Sequence, residues 1–136
     1  MPRIRKEALD WMAEAEADLR HASQAYRFRS FNWACFAAEQ AAEKAIKAFL
    51  IGIVKKRPIH THDLTALQRQ THGRLRLPTL VSSRLAQLSA YYTGARYPNS
   101  GLNRPSVSIT ASESEAAIAT ARGVVGAVKK QFATRG

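Results

Sequence analysis

An alanine-rich run from Trp33 to Leu50 restricts the fold of this chain more than any other segment. Its sequence is WACFAAEQAAEKAIKAFL, in which alanines recur at positions 34, 38, 41, 45 and 48. Steps of three and four residues place these alanines on one side of an α-helix, and Phe36, Ile46 and Phe49 widen the apolar side over most of the circumference. The pattern predicts a buried central helix around which the other segments pack.

The charged residues of this run follow one another at steps of four. Glu39 and Glu43 are like charges, whereas Glu43 and Lys47 have the acid-first order that stabilises a helix by about 0.2–0.5 kcal/mol. We expect these residues to decorate the helix, and their pairing by itself indicates no function.

The length and composition of the chain predict one soluble domain that spans residues 1–136. Hydrophobic residues make up 46% of the sequence, which excludes general disorder. No apolar stretch reaches the roughly 18 residues that a membrane span needs. The basic start is followed by Glu7 and Asp10 where a signal peptide would need an apolar segment, so we expect a cytoplasmic protein. Cys35 is the single cysteine, and its place among alanines favours a buried, unreactive thiol over a nucleophile.

The segments around the alanine-rich run also have helical periodicity. Before it, residues 5–27 place an expected inner face on Leu9, Met12, Ala13, Glu16, Leu19, Ala22 and Tyr26. The alanine-rich helix itself is predicted to end near Val54, because Pro58 and three cations follow. A short helix is expected to start at Thr61 or His62, with Asp63 in its first turn.

The second half of the chain predicts two more long helices. One carries the apolar stripe Val81, Leu85, Leu88, Tyr91 and Tyr92 and ends at Gly94, and the segment 96–108 is expected to be a mobile loop. The other begins with Thr110 and Glu113 at capping-box spacing, and its Gly123 and Gly126 indicate either a close backbone approach or a weak helix end. Since no strand pattern is present, the sequence predicts an all-α fold, an antiparallel up-and-down four-helix bundle with one short extra helix.

Positive charge is concentrated in the middle of the sequence. Residues 55–104 hold nine Lys or Arg residues and one Asp, and so carry eight of the eleven net positive charges. Such an excess attracts phosphate groups through a sequence-independent electrostatic attraction, although a solvated basic surface is the simpler interpretation. The nine cations are Lys55, Lys56, Arg57, Arg69, Arg74, Arg76, Arg84, Arg96 and Arg104.

Several motifs, taken in order, resemble the HEPN domain family, named after higher eukaryotes and prokaryotes and nucleotide binding. They are Trp11 with Ala15 and Asp18-Leu19, then the alanine-rich run with its Gln-Ala-Ala-Glu-Lys-Ala core, then His62-Asp63-Leu64, and finally Tyr91, Tyr92 and Arg96-Tyr97-Pro98. The resemblance covers nearly the whole chain. It implies a four-helix bundle, commonly a homodimer, which is often encoded beside a small nucleotidyltransferase-like partner.

The same resemblance implies two kinds of activity, nucleotide binding or metal-independent RNA cleavage by a toxin ribonuclease. The ribonucleases of the family use an Arg, four to six residues and a His. Arg57 and His62 have this spacing, but Pro58 replaces the polar residue that usually follows the Arg, and Arg96 has no His after it. In such chemistry, the His exchanges protons near neutral pH and the Arg neutralises charge on the phosphate.

The remaining site residues are expected to bind rather than to catalyse. Arg96, Tyr97, Arg57, His62 and Lys47 are the residues that could hold a phosphate and stack a base. The sequence predicts no metal site and no cofactor, since it has no metal-ligand cluster and no Gly-rich phosphate loop. The leading interpretation is a dimeric, non-catalytic module for nucleotide or nucleic-acid phosphate. A ribonuclease toxin of a toxin–antitoxin pair and a structural helical adaptor stay open as alternatives.

Overall fold

The computed structural model describes residues 3–134, and helices make up most of this part of the chain. In chain order they are α1 (Lys6–Arg27), α2 (Phe31–Phe49) with a π-helical turn (Leu50–Val54), α3 (Leu64–Gln70), α4 (Thr79–Ser83), α5 (Leu85–Ser89), α6 (Tyr91–Gly94), α7 (Pro105–Ser108) and α8 (Ala111–Ala133). No strand occurs within the described residues. The predicted all-α helical bundle is confirmed.

Helix α2 lies at the centre of the bundle, packed against both α1 and α8. Most of its residues are buried, and the majority of these are alanines. Alanine side chains allow neighbouring helices to approach closely and carry no loss of rotamer freedom. The central position that the alanine pattern predicts is therefore correct.

Helix α1 presents a different face to the core from the predicted one. Its buried residues are Ala8, Met12, Ala15, Ala22 and Ala25, whereas Leu9 is 48% exposed and Ala13 is also exposed. The prediction of Leu9 and Ala13 as inner residues is wrong. The physical reason is the small-residue surface of α2, against which Ala8 and Ala15 pack more closely than a larger side chain would.

The predicted fourth helix is three short ones, α4, α5 and α6. The backbone leaves the α-helical ladder at Arg84 (φ −104°, ψ 0°), whose N–H bonds the carbonyl of Val81 at 3.1 Å. Leu85, Leu88 and Tyr91 are buried as the stripe predicts. A Cβ at Gly123 of α8 would clash with Val81, so the glycine provides the close approach at which α4 docks.

The end of the bundle that holds the start of α8 is more regular than expected. Pro105–Ser108 forms the short helix α7, with Pro105 buried, inside the segment predicted as a loop. The predicted capping box is confirmed, since the Thr110 hydroxyl accepts from the Glu113 N–H at 3.1 Å and the Glu113 carboxylate accepts from the Thr110 N–H at 3.4 Å.

Among residues 3–134, we find no helix with the length and apolarity needed to cross a membrane.

Candidate functional site

The loop of residues 55–63 brings cationic side chains against the start of α1. It begins at Lys55, whose left-handed backbone (φ 64°) ends the π-helical turn and reverses the chain direction. Arg57 then forms a two-pronged ion pair with Glu7 of α1, with Nη1–Oε2 and Nη2–Oε1 distances of 2.6 and 2.8 Å. From the other side, Gln70 of α3 donates to the Arg57 carbonyl at 2.8 Å. The loop is thus fixed at both sides.

A cavity of about 550 Å³ lies between this loop, α1 and α2. Trp11 lines it from α1, Lys47 from α2, and Arg57, His60 and His62 from the loop. Three of the five predicted ligand-binding residues, Lys47, Arg57 and His62, therefore meet at one cavity. The Lys47 ammonium lies 5.8 Å from the centre of the Trp11 ring, close enough for a cation–π contact.

An adjoining hollow of about 330 Å³ shares Trp11 and Glu7 with the cavity. Its other walls are Asp10, Glu14 and Lys44. Trp11 therefore lines both hollows. Lys47 and Arg57 lie in the larger one and three carboxylates in the smaller one, so an anionic ligand is favoured in the larger.

His62 is held by a buried carboxylate of α2. Its Nδ1 lies 3.0 Å from both carboxylate oxygens of Glu43. A carboxylate only accepts hydrogen bonds, so Nδ1 carries the proton and, in the neutral ring, Nε2 is the basic nitrogen. Lys47 donates to the same carboxylate at 2.7 Å. Glu43, Lys47 and His62 form one connected network at the cavity wall.

Glu39 extends this network into the core. Its side chain is fully buried, Gln40 donates to Oε1 at 2.8 Å, and Oε2 has no partner within the described residues. Burial, followed by the negative charge of Glu43, raises the pKa of the Glu39 carboxyl well above its usual value. A raised pKa favours the protonated, uncharged carboxyl, for which the Glu43 carboxylate is an acceptor.

The expectation that these acidic residues decorate the helix is wrong. Glu39 and Glu43 are 0% and 4% exposed, because this stripe of α2 faces other parts of the protein rather than solvent. The sequence signal that would have shown their role is the spacing of Glu39, Glu43 and Lys47 on one side of the most buried helix. A charged residue inside a nearly all-apolar helix is costly unless it has partners.

The other two predicted ligand-binding residues, Arg96 and Tyr97, lie outside the cavity lining. The Arg96 guanidinium is 4.6 Å from the ring centres of Phe36 and Tyr92 and 5.0 Å from that of Tyr97, and its Nε donates to the Tyr92 carbonyl at 2.7 Å. Tyr97 is 52% exposed.

Tyr92 joins Arg96 to the cavity wall. Its ring stacks on His62, with centres 3.7 Å apart and planes inclined by 12°. The sequence assigns Tyr92 to an apolar helical stripe and to a motif of the resemblance, and it favours packing for Trp11, so neither contact is predicted. Both contacts bring together residues from distant parts of the sequence.

The structure also places the remaining residues that carry reactive groups. Cys35 is fully buried, and burial raises the pKa of its thiol to about 12, which leaves it protonated and unreactive. His21 and His60 are exposed. Within residues 3–134, no three His, Cys, Asp or Glu side chains are grouped so as to hold a metal ion.

Comparison with known proteins assigns a family to this arrangement. The family model described as HEPN domain matches residues 8–131. No curated protein matches the chain by sequence.

Solved structures with a similar fold include other HEPN proteins. The chain is similar to TT1696 of Thermus thermophilus, with 28% identity, a TM-score of 0.83, and coverage of 93% of this chain and 99% of that one. It is also similar to ST0689, an archaeal HEPN homologue, with 27% identity, a TM-score of 0.75, and coverage of 97% and 99%. A HEPN domain protein from Thermotoga maritima, at 23% identity, shares the fold with a TM-score of 0.71 over 91% of this chain and 98% of that one.

Proposed function

This chain belongs to the HEPN domain family, and on that basis we propose that it is a nucleotide-binding module whose site is the cavity between α1, α2 and the loop of residues 55–63. The observation that carries the proposal is the convergence of Lys47, Arg57 and His62 beside Trp11 in a cavity of about 550 Å³. This volume lies within the range of small-molecule sites, about 300–1,000 Å³.

Arg57 is the residue best suited to bind the phosphate. Its guanidinium already presents a two-pronged geometry to the carboxylate of Glu7, and a phosphate accepts the same pair of hydrogen bonds. The Arg57 side chain is 67% exposed, so its pair with Glu7 is weak in water and readily exchanged for a ligand. Lys47 lines the cavity from α2, where its ammonium pairs with Glu43 at 2.7 Å and keeps further N–H donors for a phosphate.

Trp11 is the residue best suited to bind the base. It lines both hollows, and its ring offers a face on which a base can stack, which contributes about 1–3 kcal/mol per base. The Lys47 ammonium near this ring places a phosphate-binding charge beside the stacking surface. A nucleotide can use both the ring and the cations of this cavity, whereas inorganic phosphate would use only the cations.

Calorimetric titration with AMP tests this proposal. Arg57→Gln should weaken AMP binding about 10- to 100-fold, because a hydrogen bond to a charged group contributes about 1.5–3 kcal/mol. Arg27→Gln is the matched control, since it removes the same charge at the far end of α1 and should bind AMP like the wild type. Equal affinity in the Arg57 variant and in the wild type would contradict the proposed site.

The role predicted for Arg96 and Tyr97 is tested in a titration with a dinucleotide, because AMP has no group beyond the base at Trp11 and the phosphate at Arg57. We propose that they bind a part of the ligand that extends past Tyr92, since Arg96 and His62 both contact that ring. Arg96→Ala should then weaken binding by about 1–3 kcal/mol. Unchanged affinity would assign Arg96 to packing of the aromatic cluster alone.

A specific observation also favours a second function, metal-independent ribonuclease activity. The contact of both Glu43 oxygens with His62 Nδ1 leaves Nε2 as a base that could remove the proton of a 2′-hydroxyl, while Arg57 neutralises charge on the phosphate. Incubation of the protein with RNA separates the two functions. Intact RNA after long incubation supports the binding module, whereas cleavage that His62→Ala abolishes in a folded protein would establish the enzyme and support a toxin role.

We further propose that the module is a homodimer. Leu9 and Ala13 of α1 and Trp33 of α2 are exposed, and a twofold interface over these helices would cover them in both copies. Light scattering at tens of micromolar should give twice the 15.0 kDa mass of one chain. A mass of one chain would contradict the dimer.

The partner protein is a separate proposal, which the family resemblance supports. A small nucleotidyltransferase-like protein encoded beside this one should co-purify with it. If neither AMP nor RNA binds but the partner does, the chain is a structural helical adaptor.

A further inference from the structure

The loop of residues 55–63 has almost no main-chain hydrogen bonds of its own. Within residues 3–134, no hydrogen bond between two main-chain groups involves residues 57–62, although this stretch carries Arg57 and His62. Its attachments to the rest of the protein are therefore made by side chains. A loop held in this way depends on those few contacts for a single conformation.

Side chains of α3 and α5 anchor the two ends of this stretch. At its beginning, the Gln70 amide donates to the Arg57 carbonyl at 2.8 Å and accepts from the Ile59 N–H at 3.0 Å. At its end, the Ser89 hydroxyl donates to the His62 carbonyl at 3.1 Å and accepts from the first N–H of α3 at 3.0 Å. Two neutral side chains thus supply the hydrogen bonds that a helix or a strand would otherwise supply.

Gln70 reaches Arg57 because α3 runs back beside the loop that precedes it. The helix has seven residues, a length of about 10 Å, and Asp63 caps its start by accepting from the Thr65 N–H at 3.0 Å. Its last residue consequently lies next to the first residues of the loop. Gln70 bonds main-chain groups there and does not itself line the cavity.

Arg57 depends on this anchor more than a buried residue would. Its side chain is 67% exposed, and the Glu7 carboxylate that pairs with it is 39% exposed. An ion pair of this kind contributes little in water, so it does not fix the main chain of Arg57 by itself. If the main chain were free, binding of a phosphate would have to order it, and this cost would lower affinity.

We infer that Gln70 is a positioning residue of the candidate site: its two hydrogen bonds fix the main chain of residues 57–59, so that the Arg57 guanidinium is already held at the cavity when a phosphate arrives. The inference rests on the proposed function for the phosphate at Arg57. Gln70 acts through Arg57 and does not touch the ligand.

Gln131 of α8 offers a matched control. Its amide donates to the carbonyl of Arg74 at 2.9 Å and accepts from the N–H of Arg76 at 2.9 Å. Gln70 likewise bonds a carbonyl and the N–H two residues later, and both glutamines are partly exposed. Gln70→Met and Gln131→Met remove these bonds and keep an unbranched side chain. Both variants should therefore lower the urea midpoint by a similar amount.

The pKa of Glu7 reports the position of Arg57 without any ligand. Hydrogen bonds from Arg57 hold the pKa of the Glu7 carboxyl below its ordinary value. In an NMR titration of this carboxyl, the pKa should move towards the ordinary value in Gln70→Met and stay unchanged in Gln131→Met. An unchanged Glu7 pKa in Gln70→Met, or equal shifts in the two variants, would overturn the inference.

The His62 end of the loop serves as an internal reference in the same spectra. It is held by Ser89 and by the stacked ring of Tyr92, neither of which contacts Gln70. The ring signals of His62 should therefore keep their wild-type positions in Gln70→Met. A displacement of these signals would mean that the whole loop had rearranged, which contradicts a role specific to Arg57.

Calorimetric titration with AMP measures the effect on binding. Gln70→Met should weaken AMP binding about 3- to 10-fold, because the freed main chain must be ordered again, and Gln131→Met should bind like the wild type. In an Arg57→Gln background, Gln70→Met should cause no further loss, since the side chain that Gln70 positions is absent. The same loss in that background would contradict the inference.

The inference and the proposed function fail in different ways. A wild-type protein that does not bind AMP rejects the nucleotide site, while the Glu7 titration still decides whether Gln70 positions Arg57. AMP binding that needs Arg57 but is unaffected by Gln70→Met keeps the nucleotide site and rejects the positioning role.

Discussion

Replacing Glu39 by Gln would show whether the buried carboxyl behind His62 holds a proton at neutral pH. Glu39 has no exposed surface, and its Oε2 has no hydrogen-bond partner among the described residues. Burial first, and then the charge of Glu43, raise the pKa of Glu39. A Gln at this position keeps the shape and can donate to Glu43, but it has no proton to release.

The expected magnitude follows from proton linkage. In the unfolded chain Glu39 ionises near a pH of about 4.3, whereas in the folded protein it stays protonated at neutral pH. Unfolding therefore releases one proton above that pH. The stability that Glu39 contributes is fully present below the unfolded pKa and is lost as pH rises towards the folded pKa, by about 1.4 kcal/mol per pH unit. Between pH 5.5 and 7.5 the loss amounts to about 3 kcal/mol.

Urea unfolding of both proteins at pH 5.5, 6.5 and 7.5, at constant ionic strength, measures this difference. The second N–H of the introduced amide lacks a partner and should lower stability by about 1–3 kcal/mol at every pH. This cost does not change with pH. The difference in unfolding free energy between variant and wild type should therefore shift by about 3 kcal/mol in favour of the variant between pH 5.5 and pH 7.5. Glu14→Gln, at an exposed position, is the control. Parallel pH profiles for Glu39→Gln and the wild type would refute a protonated Glu39.

Three further predictions concern packing, the exposed ring and the thiol. Gly123→Ala should destabilise the protein by about 1–3 kcal/mol, because its Cβ would clash with Val81. Gly126→Ala should stabilise it by about 1 kcal/mol, since no atom of another segment lies within 4 Å of the added Cβ. Equal changes in the urea midpoint of the two variants would disprove the close approach. Tyr97→Phe should keep RNA affinity and Tyr97→Leu should lose it at unchanged melting temperature, since the ring is half exposed; equal affinity per folded molecule in the two variants would exclude stacking. Cys35 should react with a thiol reagent at pH 8 only in urea, because burial raises its pKa to about 12; rapid labelling of the native protein would contradict this.

The architecture follows from local sequence patterns. Alanines at steps of three and four residues place α2 in the core whatever packs around it, and the Thr110 and Glu113 capping box fixes the start of α8 locally. Both features depend on residues close together in the chain, so they can be predicted without knowing which segments pack against them. The motifs that resemble the HEPN family added the family, which the match over residues 8–131 confirms.

Features that depend on which face of a helix packs against which neighbour follow from tertiary contacts. Periodicity identified an apolar side of α1 but not its rotation against the alanine surface of α2, which buries Ala8 and exposes Leu9. The stripe of the predicted fourth helix was correct, but its division at Arg84 depends on how Val81 docks at Gly123.

The chemistry of the candidate site also came from the tertiary structure. Sequence spacing selected Arg57, His62 and Lys47, but it could not show that the cavity unites them with Trp11 or that Glu43 bonds His62 across 19 residues. Spacing along a helix is a local property, whereas burial is decided by every segment that packs against it. Glu39 and Glu43 therefore appear in the sequence as surface charges, and only the packing of the loop and the surrounding helices makes them a buried network beneath His62.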